Sequence, residues 1–198
     1  GGSAVESRDL RQSVRERDDA VLVVFAVDAS ASMQPAMRAA KGTVLELLED
    51  AYQERDEVAF VAFAGDDAEV LLPPTDSVTL AARHLKDLPT GDRTPLPAGL
   101  RTAGDVIDRA DPAGSVVVLV TDGRANVARD SPVAATRDAA RGLAEQGSEV
   151  VVVDAGDEDR PELTGLIAEE TDGQHVPLSA LSAERIDAAA GAVDTSEL

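Results

Sequence analysis

The chain of 198 residues has no cysteine, so disulfide bonds, thiolate zinc sites and cysteine nucleophiles are all excluded. Its two histidines, His84 and His175, lie far apart in the sequence, and zinc chemistry is therefore not expected. It has no run of about 18 apolar residues that would span a membrane, and no secretory signal region precedes the first apolar strand. We therefore expect a soluble protein of the cytoplasm.

Positive charge is also scarce. The chain has 18 basic residues against 38 acidic ones, a formal net charge of −20, and only two lysines, Lys41 and Lys86. Such a surface repels nucleic acids and anionic lipids, so neither a nucleic acid nor a membrane is expected as a partner. Disorder is not expected, because 43% of the residues are hydrophobic and fall in periodic blocks. We interpret the acidity as adaptation to the high internal salt of a halophile, where self-repulsion is screened.

The length predicts one domain with a substantial core, since a chain of this size buries about 70% of its unfolded surface. The chain opens with Gly-Gly-Ser and no methionine, so we expect the numbering to begin inside a longer protein or after a tag remnant at residues 1–3. Residues 1–19 are read as a charged lead-in or linker. Residues 20–198 are read as the domain.

Apolar strands alternate with amphipathic helices along the domain, and this order is typical of a mostly parallel sheet covered on both faces. We predict a doubly wound α/β fold with six strands and one antiparallel edge strand. The predicted strands are Val21–Asp28, Glu57–Ala64, Ala68–Leu72 (stopped by Pro73-Pro74), Ser115–Val120, Val150–Asp154 and His175–Pro177. The predicted helices are about Pro35–Tyr52, Ser77–Leu88, Pro97–Ala110, Ser131–Gln146, Pro161–Glu170 and Ala180–Ala192.

Oxygen-bearing side chains follow the strands that this topology brings together. Asp28 ends the first strand, with Ser30 and Ser32 in the next turn, and Asp122 follows the strand predicted to lie beside it. Thr94 lies in a loop expected at the same crevice. Alone, each could cap a helix or form an ordinary turn, but together they predict a site for a hard cation such as Mg2+. We expect Asp28 to face solvent in this crevice.

Other chemistries fit less well. A phosphatase of the haloacid dehalogenase type needs a second acid two residues after its nucleophilic aspartate, where this chain has Ser30. A serine hydrolase would need a GxSxG turn, which does not occur. Lys41-Gly42-Thr43 lacks the glycine-rich segment that precedes the lysine of a phosphate loop, so no ATP site is expected.

The pattern DxSxS, a lone Thr and TDG resembles the metal-ion-dependent adhesion site (MIDAS) of von Willebrand factor A domains. Longer segments are similar to the A domain of the D-type subunit of magnesium chelatase and cobaltochelatase-like AAA+ complexes: AKGTVLELLEDAYQERDEVAFVAF, LLPPTDSV, LPTGDRTPLPAGL and VLVTDGRANV. The resemblance covers about Asp9 to Pro177.

The resemblance implies that the metal is Mg2+, with Mn2+ or Ca2+ as substitutes. Its implied ligands are Asp28, Ser30, Ser32, Thr94 and Asp122, with a carboxylate from a partner protein completing the site. This chain departs from the usual pattern, since Ala replaces Gly at position 31 and GDRTPL replaces GGGTPL. Partner contacts are expected from three residues near the metal loops, which are Arg93, Arg124 and Asn126.

The resemblance further implies a docking domain, itself non-catalytic, of an ATP-dependent chelatase that inserts Mg2+ or Co2+ into a tetrapyrrole. The implied partners are an AAA+ ATPase subunit and a large chelatase subunit. The alternatives are a stand-alone A domain that serves a different AAA+ ATPase as an adaptor or chaperone, and a metal-dependent phosphohydrolase.

The high-salt interpretation predicts that the free energy of unfolding rises between low ionic strength and molar KCl, because salt screens the repulsion within the acidic surface. Urea unfolding at the two ionic strengths measures the change in the free energy of unfolding, and we expect the midpoint at a higher urea concentration in molar KCl. Equal midpoints would contradict the interpretation.

Overall fold

The fold is described from a computed structural model that covers residues 21–38, 42, 45–46, 49, 56–77, 79–80, 83, 94–123, 132–156, 162–182, 184–185 and 188–189. The predicted lead-in at 1–19 lies outside the described residues. So do most of the loop before Thr94 and parts of the helices predicted at 35–52, 77–88 and 180–192.

Six strands form one sheet, and their order is β3-β2-β1-β4-β5-β6. Every neighbouring pair is parallel except β2 and β3, which are antiparallel. The predicted sheet is therefore confirmed, including the adjacency of the first strand to the strand that ends in the TDG turn. The strands are β1 (Val21–Asp28), β2 (Glu57–Ala64), β3 (Asp67–Thr75), β4 (Gly114–Thr121), β5 (Glu149–Asp154) and β6 (Gln174–Pro177).

Three long helices lie in the described residues, and each lies within one or two residues of its predicted bounds. They are α1 (Leu96–Ala110), α2 (Pro132–Glu145) and α3 (Glu162–Thr171). Short 3-10 turns occupy Ala31–Met33 and Leu178–Ala180, and residues 34–38 continue the first turn as helix. Gly147 follows α2 with a φ of 76°, as expected of a helix stop. Among the described residues, no helix combines the length and apolarity needed to cross a membrane.

The two faces of the sheet are buried separately, which explains why the strands read as unbroken apolar runs. Alternate residues of β1 point to opposite faces. Val23, Phe25 and Val27 pack with Met33, Leu181 and Ala189 on one face. Leu22, Val24 and Ala26 pack on the other face with α1, α2 and α3, through Leu96, Leu100, Ala140, Leu143 and Ile167.

The prediction that Pro73-Pro74 stops the β2–β3 hairpin is wrong. β3 continues through both prolines to Thr75, which pairs with Val58, and the register shifts on either side of Phe60. β3 is an edge strand, where a residue without an N–H is tolerated if that position faces away from the ladder or sits at a bulge. The irregular register accommodates the prolines without ending the strand.

The packing of α1 fixes the edge of the sheet where the predicted site lies. Phe63 is paired with Asp28 in the register of β2 and β1, and the Phe63 carbonyl accepts a hydrogen bond from the Ala29 N–H at 3.0 Å. A Cβ built on Gly99 of α1 would lie only 2.5 Å from the ring of Phe63. The start of α1 is therefore held against the carboxyl ends of β1 and β2.

We expect Gly99→Ala to lower the free energy of unfolding by about 1–3 kcal/mol, because the added methyl overpacks a fully buried contact. Gly142→Ala is the matched control, since it places the same methyl in the helix α2 where no atom lies within 4 Å. That control should gain up to about 1 kcal/mol from the lower flexibility of the unfolded chain. Urea unfolding distinguishes the two, and similar effects of both variants would contradict the packing constraint.

Candidate metal centre

Asp28 lies at the carboxyl end of β1 and is fully buried, with 0% of its surface exposed. Its Oδ1 accepts a hydrogen bond from the Ser30 N–H at 3.0 Å, and its Oδ2 accepts one from the Thr121 hydroxyl at 2.9 Å. The expectation that Asp28 faces solvent is therefore wrong. β1 is flanked by β2 and β4, and its alternation turns the Asp28 side chain toward the face covered by α1.

Thr121 is a site residue that the sequence analysis did not identify. It is 0% exposed, and its hydroxyl oxygen also accepts a hydrogen bond from the Gly123 N–H at 3.1 Å. The pairing of Val27 with Val120 sets Asp28 beside Thr121 at the ends of neighbouring strands. Alternation along both strands would have predicted that the two side chains share a face, and this was the signal available in the sequence.

Ser30, Ser32 and Asp122 form a chain of oxygens at the mouth of the site. Ser30 Oγ lies 3.2 Å from Ser32 Oγ, and the Ser32 hydroxyl donates to Asp122 Oδ2 at 2.6 Å. Ser30 is 3% exposed, Ser32 is exposed and Asp122 is half-buried, so the chain runs from the core to the surface. The structure thus brings together residues that are about 90 positions apart in sequence.

Thr94 precedes α1 and is 2% exposed. Its carbonyl accepts the Leu96 N–H at 3.0 Å, and Leu96 packs into the core on the face of the sheet that Asp28 also faces. Because α1 runs back from the carboxyl edge of the sheet, Thr94 lies at that edge and on that face. The predicted threonine therefore lies at the carboxyl edge of the sheet.

Burial raises the pKa of the Asp28 carboxyl above its ordinary value of 3.8, because desolvation disfavours the anion. The hydrogen bonds from Ser30 and Thr121 oppose that rise, and the nearby charge of Asp122 adds to it. A buried anion beside a second carboxylate is an electrostatic cost that a bound cation would offset.

The donor set fits a hard divalent cation. Every polar side-chain atom in it is an oxygen, and no nitrogen or sulfur ligand takes part. Within the described ranges, no cluster of three or more His, Cys, Asp or Glu side chains could hold a metal. An ion here would therefore depend on hydroxyl ligands.

A second polar cluster supports the Asp122 turn from the side of β5. Asp154 Oδ2 accepts the Thr164 hydroxyl at 2.8 Å and lies 3.1 Å from His175 Nε2, while its Oδ1 accepts the Gly156 N–H at 2.8 Å. A Cβ on Gly156 would lie 2.8 Å from the Asp122 carbonyl oxygen, so the segment that follows β5 packs directly on the turn that contains Asp122.

The three predicted partner contacts, Arg93, Arg124 and Asn126, lie outside the described residues. They stay predictions.

Comparison with known proteins finds a match to the family described as von Willebrand factor type A domain over residues 23–124, which is more than half of the chain. The magnesium-chelatase 60 kDa subunit of Cereibacter sphaeroides is 40% identical over 198 residues, covering 95% of this chain and 35% of that protein. An uncharacterised protein of Methanocaldococcus jannaschii is 39% identical over 123 residues, covering 60% of this chain and 71% of that protein.

Among solved structures, the vWF domain of the type V pili tip protein Mfa5 from Porphyromonas gingivalis is similar with a TM-score of 0.73 and 12% identity. The match covers 89% of this chain and 96% of that one, and at this identity it concerns the fold alone. The chain spans about a quarter to a third of the length of the first curated relatives it matches.

The raised pKa of Asp28 predicts a pH-dependent difference in stability between the wild type and Asp28→Asn without divalent ions. Above the raised pKa that Asp28 has in the folded protein, its ionised carboxylate lowers the free energy of unfolding of the wild type. This loss disappears as the pH falls to the pKa that Asp28 has in the unfolded chain. Asp28→Asn carries no such cost, so its stability relative to the wild type is greatest at neutral pH and declines toward acid. Urea unfolding with a chelator at several pH values measures the free energy of unfolding of both proteins. A difference between them that does not change with pH would contradict the prediction.

Asp28→Ala provides the comparison for that series. It leaves the Thr121 hydroxyl and the Ser30 N–H without their acceptor in a buried site. We expect it to be less stable than Asp28→Asn by about 1–3 kcal/mol, in the same unfolding measurements.

Proposed function

Because the chain belongs to the von Willebrand factor type A family, we propose that it is an Mg2+-dependent docking domain of a metal chelatase. In this proposal it helps an ATP-driven complex insert Mg2+ or Co2+ into a tetrapyrrole, while ATP hydrolysis and insertion take place elsewhere in the complex. The observation that carries the proposal is the 40% identity to a magnesium-chelatase subunit across nearly the whole chain. The cluster of oxygens at the carboxyl edge of the sheet supports it.

In this proposal five residues hold the ion. Ser30, Ser32 and Thr94 supply hydroxyl oxygens, and Asp122 supplies a carboxylate at the surface. Asp28 lies beneath them, and its bond to the Ser30 N–H orients the loop that carries both serines. When bound, the ion supplies a localised positive charge on an otherwise acidic protein.

That charge explains why an acidic group on a partner would dock here. Neutral hydroxyl ligands leave much of the ion's charge uncompensated, so one more carboxylate is favourable. The chain has a net charge of −20, and an acidic partner segment would be repelled from it without the ion. Association through a glutamate or aspartate of an AAA+ ATPase subunit or a large chelatase subunit would therefore depend on the metal.

A second candidate is a stand-alone adaptor that works with a different AAA+ ATPase. The observation in its favour is that the chain covers 71% of the archaeal relative, which leaves that protein little room for a further domain. The sequence of the parent gene distinguishes the candidates, since an ATPase domain in the same polypeptide favours the chelatase subunit.

We expect replacement of both Ser30 and Ser32 by alanine to weaken Mn2+ binding and to abolish Mg2+-dependent association with the AAA+ subunit. Water-proton relaxation during an Mn2+ titration measures the first effect, and co-sedimentation with the ATPase in Mg2+ or in chelator measures the second. Ser179→Ala is the control, because Ser179 is exposed in the 3-10 turn after β6. Tight association of the double variant would show that docking uses another surface.

A further inference from the structure

We propose that Thr121 is a positioning residue, whose hydroxyl sets the divalent-ion affinity of the site by fixing the Asp28 carboxylate and the Asp122 turn together. The inference rests on the proposed function, since it concerns the same metal site. Thr121 lies outside the predicted ligand set, and it is fully buried beneath that set.

The bonds of the Thr121 hydroxyl join two parts of the site. A hydroxyl has one hydrogen to donate, and this one goes to Asp28 Oδ2 at 2.9 Å. Its oxygen accepts the Gly123 N–H at 3.1 Å. One atom of β4 therefore contacts both the acid at the end of β1 and the turn that leaves β4.

The effect on Asp28 is to fix the plane of its carboxylate. The terminal torsion of an aspartate is broad, so hydrogen bonds rather than a rotamer well set its orientation. Ser30 N–H holds Oδ1 and Thr121 holds Oδ2. Without the threonine hydroxyl, Oδ2 loses this bond and the carboxylate is held from the Ser30 side, so the serine loop bonded to it loses part of its fixed geometry.

The effect on Asp122 follows from the turn that encloses it. The bond from Gly123 N–H to Thr121 Oγ1 closes a local side-chain turn with Asp122 in the middle. The Thr121 carbonyl also accepts the Ala155 N–H at 2.9 Å, so the backbone before the turn is fixed from the other side. Asp122 thereby presents Oδ2 to Ser32 at 2.6 Å.

Threonine suits this position better than other residues of its size. Its branched Cβ restricts the side chain to few rotamers, so the hydroxyl is directed with little loss of entropy. Valine has the same shape without the donor, and serine has the donor without the branch. The two substitutions therefore separate the hydrogen bonds from the packing.

The test compares Thr121→Val, Thr121→Ser and a matched control, Ser115→Ala, in the intact protein. Ser115 lies at the opposite end of the same strand, where its hydroxyl is 2.7 Å from that of Ser148 in a buried pair. Each variant is assayed for Mn2+ affinity by water-proton relaxation and for unfolding in urea with a chelator.

We expect Thr121→Val to weaken Mn2+ binding about 10–100-fold, the range seen when a residue that orients metal ligands is replaced. Ser115→Ala should lose stability but keep the wild-type affinity, and Thr121→Ser should recover most of the affinity. If Thr121→Val does not fold, Thr121→Ser still tests the inference, since a tenfold loss of affinity with the hydroxyl present would overturn it.

Two further outcomes overturn the inference in distinguishable ways. If Thr121→Val binds Mn2+ as tightly as Ser115→Ala does, Thr121 has a structural role only. The proposed function would then be unaffected. Failure of the wild type to bind Mn2+ would overturn the metal site and the role of Thr121 together.

Discussion

The site depends on one buried carboxylate. Asp28 has no exposed surface, and both of its oxygens are bonded to the protein, one to the loop that follows β1 and one to the end of β4. A buried anion is costly unless hydrogen bonds or a counter-charge compensate it. The strand order supplies the hydrogen bond from Thr121, because it sets β1 beside β4, and the loop after β1 supplies the hydrogen bond from the Ser30 N–H. In the proposed function a bound ion would supply the counter-charge, which would link the stability of the fold to metal binding.

The same dependence explains the gradient of burial across the site. Asp28 and Thr121 are held by the core, whereas Ser32 lies at the surface and Asp122 is half-buried. The proposed hydroxyl ligands span this gradient, since Ser30 and Thr94 are nearly buried and Ser32 is exposed. A site that is open at Ser32 and Asp122 keeps a defined shape in this way, because the solvent that reaches these two residues does not reach Asp28 and Thr121.

The strands were predictable from the sequence because a sheet buried on both faces leaves continuous apolar runs, as in β1 and β4. The meeting of Asp28 with Asp122 was predictable from topology, since parallel strands place their carboxyl ends at one edge. The burial of Asp28 was not, because a position at the end of a strand does not show how deeply its neighbours enclose it. Thr121 was missed because its place beside Asp28 appears only when the alternation of β1 is compared with that of β4. The passage of β3 through Pro73-Pro74 depends on a shift of register that composition cannot reveal.

The two margins of the sheet have a consequence for how this domain assembles. β3 carries two prolines at one margin, and β6 at the other is only four residues long and ends in Pro177. Proline has no amide hydrogen, so neither margin offers an uninterrupted row of donors to an incoming strand. Edge-to-edge pairing of another strand with either margin of the described sheet is thereby disfavoured.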